Sequence, residues 1–544
     1  MSAVLAALVL LAAPPAAGPG DLAAAWLRDG RIQTRAASRE SVTDRTPLGS
    51  TWKLFVYAYD VESRAEAPAY HCGTARRAGE EYCCEPGQSV GRDAALARSC
   101  ALYFEPLRLG IEPAAWRRFW EARTDPTAAW LADLARLRPE TSVSVDELLH
   151  GLAAVPGVSR SAAFRALLPV QIDGYGQGAL RHLGGALRVK TFTWSRPRRP
   201  GTSIGGGAGW LVDGTPVWFS ARGSSRTVLT RDAEQLAAWL PAPTRGPDDE
   251  PCVTVDFFDR YPIRALDRLP SRTAASPGSL RGRYRVLFES GTALVFESGG
   301  ELRLEFEGAR LRIRGQLGLD EYVARVLDRE ADPGAGEATR ALAVVARTWL
   351  VQHAAFEGGC FRVADSTRAQ RVSPSPATNA ARQVSVFTDG IVLGGEDVRY
   401  RLEGGGPGVL AWNTALAQAR EGRRYDEILS LAFPAATLAA LTGERECLRL
   451  PDVEAWLARA TSRWRRSLSS EDGFEPPEQA LTVCGLGHGS PYVDRSRLRV
   501  YVRGARSRDE RVTLAHEYIH LGFRFHPHGD DEAFVERIAR TLEE

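Results

Sequence analysis

The segment RVTLAHEYIHLGF sets His516 and His520 four residues apart, with Glu517 beside the first histidine. Positions i and i+4 share one face of a helix. Two imidazoles there can grip one Zn2+ while the glutamate activates a water for attack on a peptide carbonyl, the chemistry of the H-E-x-x-H spacing. A third ligand is needed. His526 stands six residues past His520, but a motif with that spacing requires glycine at 523 and a downstream methionine. Phe523 occupies the first place, and the one methionine of the chain is Met1. The remaining donor is a glutamate of DDEAFVERIARTL: Glu532 first, with Glu536, one turn later on the same face, as the alternative. His488, in GLGHGSPY, reads as a loop residue.

A second candidate comes from what the chain avoids. Of 69 basic residues 67 are arginine, and the two lysines are Lys53 and Lys190. Arginine stays protonated, whereas a buried lysine can be driven neutral and serve as a base. Lys53 closes Ser50-Thr51-Trp52-Lys53, where a helix start puts hydroxyl and amine on one face so that a neutral amine can take the hydroxyl proton. Lys190 opens KTFTW, and AGWLVDGTPVWFSA after it reads as a strand. A third candidate is Glu330, in LDEYVARVLDREADPG. A carboxyl that first protonates a glycosidic oxygen and then acts as a base needs a raised pKa. Asp328 and Asp332 would push it up by like-charge repulsion, and Arg329 would pull the other way.

Three breaks divide the elements that must position these groups. PAPTRGPDDEP (241–251) separates the helical DAEQLAAWL from the strand CVTVDFF, TGERECLRLP follows a helix ending near Leu441, and SSEDGFEPPEQ (469–479) is a polar loop. The expected organisation is a signal peptide over 1–18, then domains over 19–245, 252–445 and 446–544, in a multidomain α+β chain. The first domain mixes strands at both ends with helices between. The second opens on a meander of period two, RYRVLFESGTALVFESGGELRLEFEGARLRIRG, and continues in the helices LDEYVARVLDRE and EATRALAVVARTWLVQHAAF. The third pairs the strand RLRVYVRG with two terminal helices.

A chain of 544 residues exceeds one compact core. Hydrophobic content of 44% with 25% charged residues describes a globular protein, and a net charge of +2 gives no reason to expect nucleic acid. The apolar start MSAVLAALVLLAAPPAAGPG turns small after Pro14 and Pro15, as an export signal does. No later stretch is long enough to span a membrane. Eight cysteines, four of them at 72, 83, 84 and 100, suit an oxidising, extracytoplasmic compartment, periplasmic or secreted, and no paired CxxC suggests a structural zinc cluster.

The order S-x-x-K, then Ser99-Cys100-Ala101 in LARSCALYFEPL, then Lys190-Thr191 on a strand, resembles the penicillin-recognising serine enzymes, DD-peptidases, transpeptidases and β-lactamases, over roughly 200 residues, closest to the class D type. The resemblance implies Ser50 as acylated nucleophile, Lys53 as its base, Ser99 as proton relay, and Lys190 and Thr191 as holders of a substrate carboxylate. Phe192 stands where the family has a glycine facing the cleft, and Ala101 replaces a polar or branched residue.

Most of 280–440, from LGLDEYVARVLDREADPG through ADSTRAQRV, FTDGIVLGG and REGRRYDEILSLAFP, resembles stage II sporulation protein D and its relatives, lytic transglycosylases of peptidoglycan; their catalytic glutamate falls on Glu330. The usual Met-Pro after it is Ala331-Asp332-Pro333, and Arg368 and Ala369 replace the metal-binding Cys and His. Glu532 in its E-A-x-x setting is similar to compact gluzincin-like peptidases, and the whole chain resembles uncharacterised secreted bacterial proteins ending in such an H-E-x-x-H region. Together these imply an exported wall-remodelling protein with peptidoglycan or peptide as substrate and Zn2+ as cofactor. The alternatives are a zinc metalloprotease, or a wall-binding scaffold whose first two domains are degenerate.

Overall fold

A computed structural model of the chain describes residues 21–543 apart from 39–43, 65–66, 76, 85, 171, 173–175, 196–202, 248–250, 309, 358, 395–396, 405, 407, 442–449, 478–480, 486–490 and 496–497. The expected signal segment, most of the TGERECLRLP break and His488 lie outside the described residues. The architecture is mixed α+β and multidomain.

In the first region five antiparallel strands form one sheet, ordered Arg31–Ala36, Ala23–Arg28, Pro216–Arg222, Ser203–Leu211, Leu187–Ser195. AGWLVDGTPVWFSA is therefore a hairpin and not a single strand: Asp213 and Gly214, at φ +88°, turn the chain between two paired strands. One face of the sheet packs on Trp52–Ser63, Val145–Ala153 and Gly157–Pro169 through Phe55, Trp120 and Trp210; the other is covered by Ser225–Arg231 and Ala233–Trp239. Disulfides Cys72–Cys84 and Cys83–Cys100 staple the cysteine cluster.

The middle region is built on an eight-stranded sheet whose meander, Gly278–Phe288, Ala293–Glu307 and Arg310–Gly318, alternates buried and exposed residues at period two. Cys252–Phe257 joins it antiparallel to the meander and runs parallel to Cys360–Ala364, and the disulfide Cys252–Cys360 links the first residues of that parallel pair. Two helices follow, Leu319–Glu330 and Glu337–His353; the second buries Ala341 to Ala346 without interruption, so it runs through the core and not over it. The last region holds a three-stranded sheet, Thr482–Gly485, Arg499–Val502 and Tyr492–Asp494, against the helices Pro451–Leu468, Arg508–Gly522 and Glu532–Leu542.

The first and middle regions are joined through buried polar contacts. Gly185 N–H donates to the Phe387 carbonyl at 2.8 Å, and a Cβ on Gly185 would stand 2.0 Å from the Asp389 carbonyl oxygen, so only glycine permits that approach. Beside it Arg188 pairs with Asp389 at 2.5 Å, and Tyr425 donates its hydroxyl to the Leu180 carbonyl at 2.9 Å.

Candidate functional site

The H-E-x-x-H segment lies on the Arg508–Gly522 helix, opened by a capping box in which Ser507 and Glu510 each satisfy the other's backbone N–H. The following helix crosses it and delivers Glu532. Its two carboxylate oxygens lie 3.2 Å from His516 Nε2 and 3.5 Å from His520 Nε2, and one donor atom from each of the three residues falls within 4.8 Å of the others.

The opposite ring nitrogens are anchored. His520 Nδ1 meets the Gly529 carbonyl at 2.7 Å and His516 Nδ1 meets Glu536 at 3.0 Å. Both partners can accept from Nδ1–H, and in that tautomer of the neutral rings the two Nε2 lone pairs face the same point as Glu532. Two imidazole nitrogens and a carboxylate with one open side fit Zn2+. Glu536 sits behind His516 at its Nδ1, and Glu532 is the carboxylate that faces both Nε2 atoms. Arg495, which the sequence did not single out, donates to the same Gly529 carbonyl at 2.7 Å.

Glu517 is 6% exposed, and burial pushes its carboxyl up to about 7. These groups line a cleft of roughly 620 Å³ with Arg503, Arg540 and, from the middle region, Ala435. Burial lowers His520; at His516 burial is outweighed by Glu532, Glu517 and Glu536, which raise it.

Ser50 occupies the short turn before the Trp52–Ser63 helix. Lys53 Nζ lies 2.9 Å from Ser50 Oγ and 3.1 Å from Ser99 Oγ, and the Ser99 hydroxyl donates to Ser50 Oγ at 3.1 Å, closing a triangle. Ser99 ends the Arg92–Arg98 helix at φ +68°, an uncommon conformation for a non-glycine residue, and the next residue, Cys100, is tied to Cys83. Lys53 and Lys190 are 4% and 1% exposed. Burial brings Lys53 down to about 8, and burial together with the charge of Lys53 brings Lys190 down to about 7. Thr191 is buried at the next position of the same edge strand.

Phe192 does not stand open to the cleft as the family pattern implied. It is 2% exposed and lies against Gly49, whose missing side chain leaves the space the ring fills. Ala101 follows the disulfide-bonded Cys100 in a turn and is exposed.

Glu330 ends its helix half-buried, and its Oε1 accepts the Arg371 N–H at 2.5 Å. Burial raises its pKa, against the Arg371 N–H and the Tyr400 hydroxyl, with Asp365 adding like-charge repulsion. The neighbours expected from the sequence are turned elsewhere: Asp328 accepts from Thr378 N–H at 2.6 Å and Asp332 from Gly334 N–H at 2.9 Å. Asp365 sits in the quoted ADSTRAQRV but was not singled out, because only the fold brings that loop to the end of the Glu330 helix.

The uncharacterized protein YfaQ of Escherichia coli (strain K12) is 43% identical over 498 residues, 91% of this chain and 89% of that protein. The chain belongs to that family. A family model described as a predicted secreted protein (DUF2300) matches residues 75–201 and 408–528, and one for stage II sporulation protein matches 307–393, a cell-wall-related domain around Glu330. Among solved structures, L2 complexed with relebactam is 17% identical, with 40% of this chain and 91% of that one covered at a TM-score of 0.27. A class D β-lactamase from Bacillus subtilis is 15% identical over 41% and 93% at 0.28. At those scores the structural likenesses carry no argument. No helix among the described residues is long and apolar enough to cross a membrane.

Proposed function

We propose that this protein remodels the bacterial cell wall outside the cytoplasm, and that its C-terminal cleft is a Zn2+-dependent peptidase acting on wall peptide. The observation that carries the reading is the convergence of His516 Nε2, His520 Nε2 and Glu532 with both Nδ1 atoms anchored. His516, His520 and Glu532 would hold Zn2+, which would supply positive charge to the scissile carbonyl. Buried Glu517, next to His516, takes a proton from the attacking water and passes it to the leaving nitrogen. His520 keeps its tautomer through Gly529, and His516 through Glu536.

The wall as target is supported by the stage II sporulation protein match and by the secreted description of the family. Glu330, desolvated at the end of its helix, is the acid for glycan cleavage in the same wall. A second reading, serine acyl transfer at Ser50, is favoured by the Ser50–Lys53–Ser99 triangle: neutral Lys53 takes the Ser50 proton directly, with Ser99 bridging both.

Purified full-length protein should carry about one zinc per chain, and so should Glu517→Gln. Peptide-bond cleavage in purified peptidoglycan should fall at least ~100-fold in Glu517→Gln and on chelation. Cleavage that survives both treatments, or a protein purified without zinc that binds none on addition, removes the reading.

A further inference from the structure

Ser99 stands where a helix stop ordinarily takes glycine. The Cys100 N–H donates to the Ala95 carbonyl at 2.9 Å and the Ser99 N–H to the Leu96 carbonyl at 3.2 Å, the paired bonds of a Schellman stop, with Ser99 left-handed between helix and exit at φ +68°. Glycine adopts that conformation freely; a residue with a side chain stays there only where its surroundings impose it, and such positions gather at functional sites. Here the side chain is the hydroxyl that lies 3.1 Å from both Ser50 Oγ and Lys53 Nζ.

Two clamps fix the Arg92–Arg98 helix that delivers this hydroxyl. At its start the Tyr57 hydroxyl donates to Asp93 at 2.7 Å and Arg92 pairs with Asp60 at 3.5 Å, so that end is tied to the helix whose second residue is Lys53. At its other end the tie is covalent. Cys100, the residue after Ser99, is bonded to Cys83, and Arg98 donates to the Cys83 carbonyl at 3.2 Å. Both cysteines are fully buried, so a reductant in solution does not reach the crosslink once the chain has folded. The neighbouring disulfide, Cys72–Cys84, staples the same cysteine cluster but includes no residue next to Ser99.

We propose that the Cys83–Cys100 disulfide is a positioning device for acyl transfer: it holds Ser99 in its left-handed conformation, so that the Ser50–Lys53–Ser99 triangle closes only once this disulfide has formed outside the cytoplasm. This rests on the reading of Ser50 as the acylated nucleophile. In the oxidation, the two thiols lose two protons and two electrons to a disulfide-bearing oxidant, which leaves as a dithiol. Without the crosslink Ser99 relaxes out of the left-handed region, which swings its hydroxyl away from Lys53. Burial makes the oxidation a one-way maturation of the site and not a reversible switch.

The experiment follows labelling of Ser50 by a fluorescent penicillin in the full-length protein, with peptide mass reporting which crosslinks are present. Cys83→Ala with Cys100→Ala should label at least ~10-fold more slowly than wild type, because the relay hydroxyl is misplaced. Cys72→Ala with Cys84→Ala, which opens a loop of similar length, should label at the wild-type rate. Ser99→Ala should also slow labelling, and adding it to the Cys83→Ala, Cys100→Ala chain should slow it no further, since both changes take the same hydroxyl out of the triangle. Effects that multiply, or equal losses from the two cysteine pairs, overturn the proposal and leave Ser50 as nucleophile. To cover a substituted chain that does not fold, wild type is also purified reduced and reoxidised with glutathione disulfide. Labelling should rise in step with the Cys83–Cys100 crosslink, and labelling at full rate before that crosslink forms overturns the proposal. Oxidised wild type that takes no label removes the serine reading itself, and the proposal with it.

Discussion

At the scale of single residues, the two retained lysines carry a pH signature. An ordinary lysine near pH 7.5 is neutral in about one molecule per thousand, whereas with a pKa of about 8 roughly a quarter of Lys53 is neutral. Burial lowers the pKa, so the basic form appears at lower pH, and acylation of Ser50 should climb as pH rises through about 8 and then level off. The measurement is the rate at which a fluorescent penicillin labels the full-length protein across that range, with Ser50→Ala as the blank. Lys53→Arg should abolish labelling, because arginine keeps its proton. A rate flat across the range, or labelling that survives Lys53→Arg, would show that Lys53 is not the base.

At the scale of elements, the Leu187–Ser195 strand supports the turn that carries Ser50. Gly49 has φ +48°, and a Cβ there would stand 2.7 Å from the Phe192 Cβ. Gly49→Ala should therefore cost about 2 kcal/mol, from the unfavourable backbone conformation plus overpacking, and lower the labelling of Ser50. Adding Phe192→Ala should return Ser50 labelling towards the wild-type rate, since the clash is then gone. Denaturant midpoints of the single and double variants check the cost; if the single variant matches wild type, the packing argument fails.

Local periodicity and local partners are what the sequence made legible here. The meander shows in its alternation, and the Glu330 helix in LDEYVARVLDRE, whose bounds Leu319–Glu330 coincide with that string. The H-E-x-x-H helix shows in the four-residue spacing of His516 and His520, both within Arg508–Gly522. What depends on chain distant in sequence was hidden. Phe192 cannot be paired from sequence with a glycine more than a hundred residues upstream, and the groups acting on Glu330 are Asp365, Arg371 and Tyr400 instead of its neighbours at 328 and 332; the Asp213-Gly214 turn, by contrast, is a local signal that the strand reading passes over. Which of Glu532 and Glu536 faces both Nε2 atoms likewise depends on how two helices pack, since both lie on one face of the second.

At the scale of the whole molecule, the strand that carries Lys190 and the helix that ends in Glu330 are held to one another by buried charge. Arg188, two positions before Lys190, pairs with Asp389 at 2.5 Å, while Arg347 pairs with Asp320 at 2.8 Å at the start of the helix that ends in Glu330. Burial, with the repulsion of Asp320, lifts Asp389 to about 7 in spite of Arg188 and Arg347. Replacing one member of such a network strands its partner, typically at a cost of 3–5 kcal/mol, whereas replacing a complete pair by apolar groups can be nearly neutral. Arg188→Met should therefore destabilise by about 3 kcal/mol, and because the loss falls on the junction it should split thermal unfolding into two transitions, with the first region melting earlier. Arg188→Met with Asp389→Leu should recover most of the loss. Calorimetry of the full chain decides it: a single transition at the wild-type temperature in Arg188→Met would mean that the glycine approach at Gly185 and the Tyr425–Leu180 contact hold the two regions together without the charges.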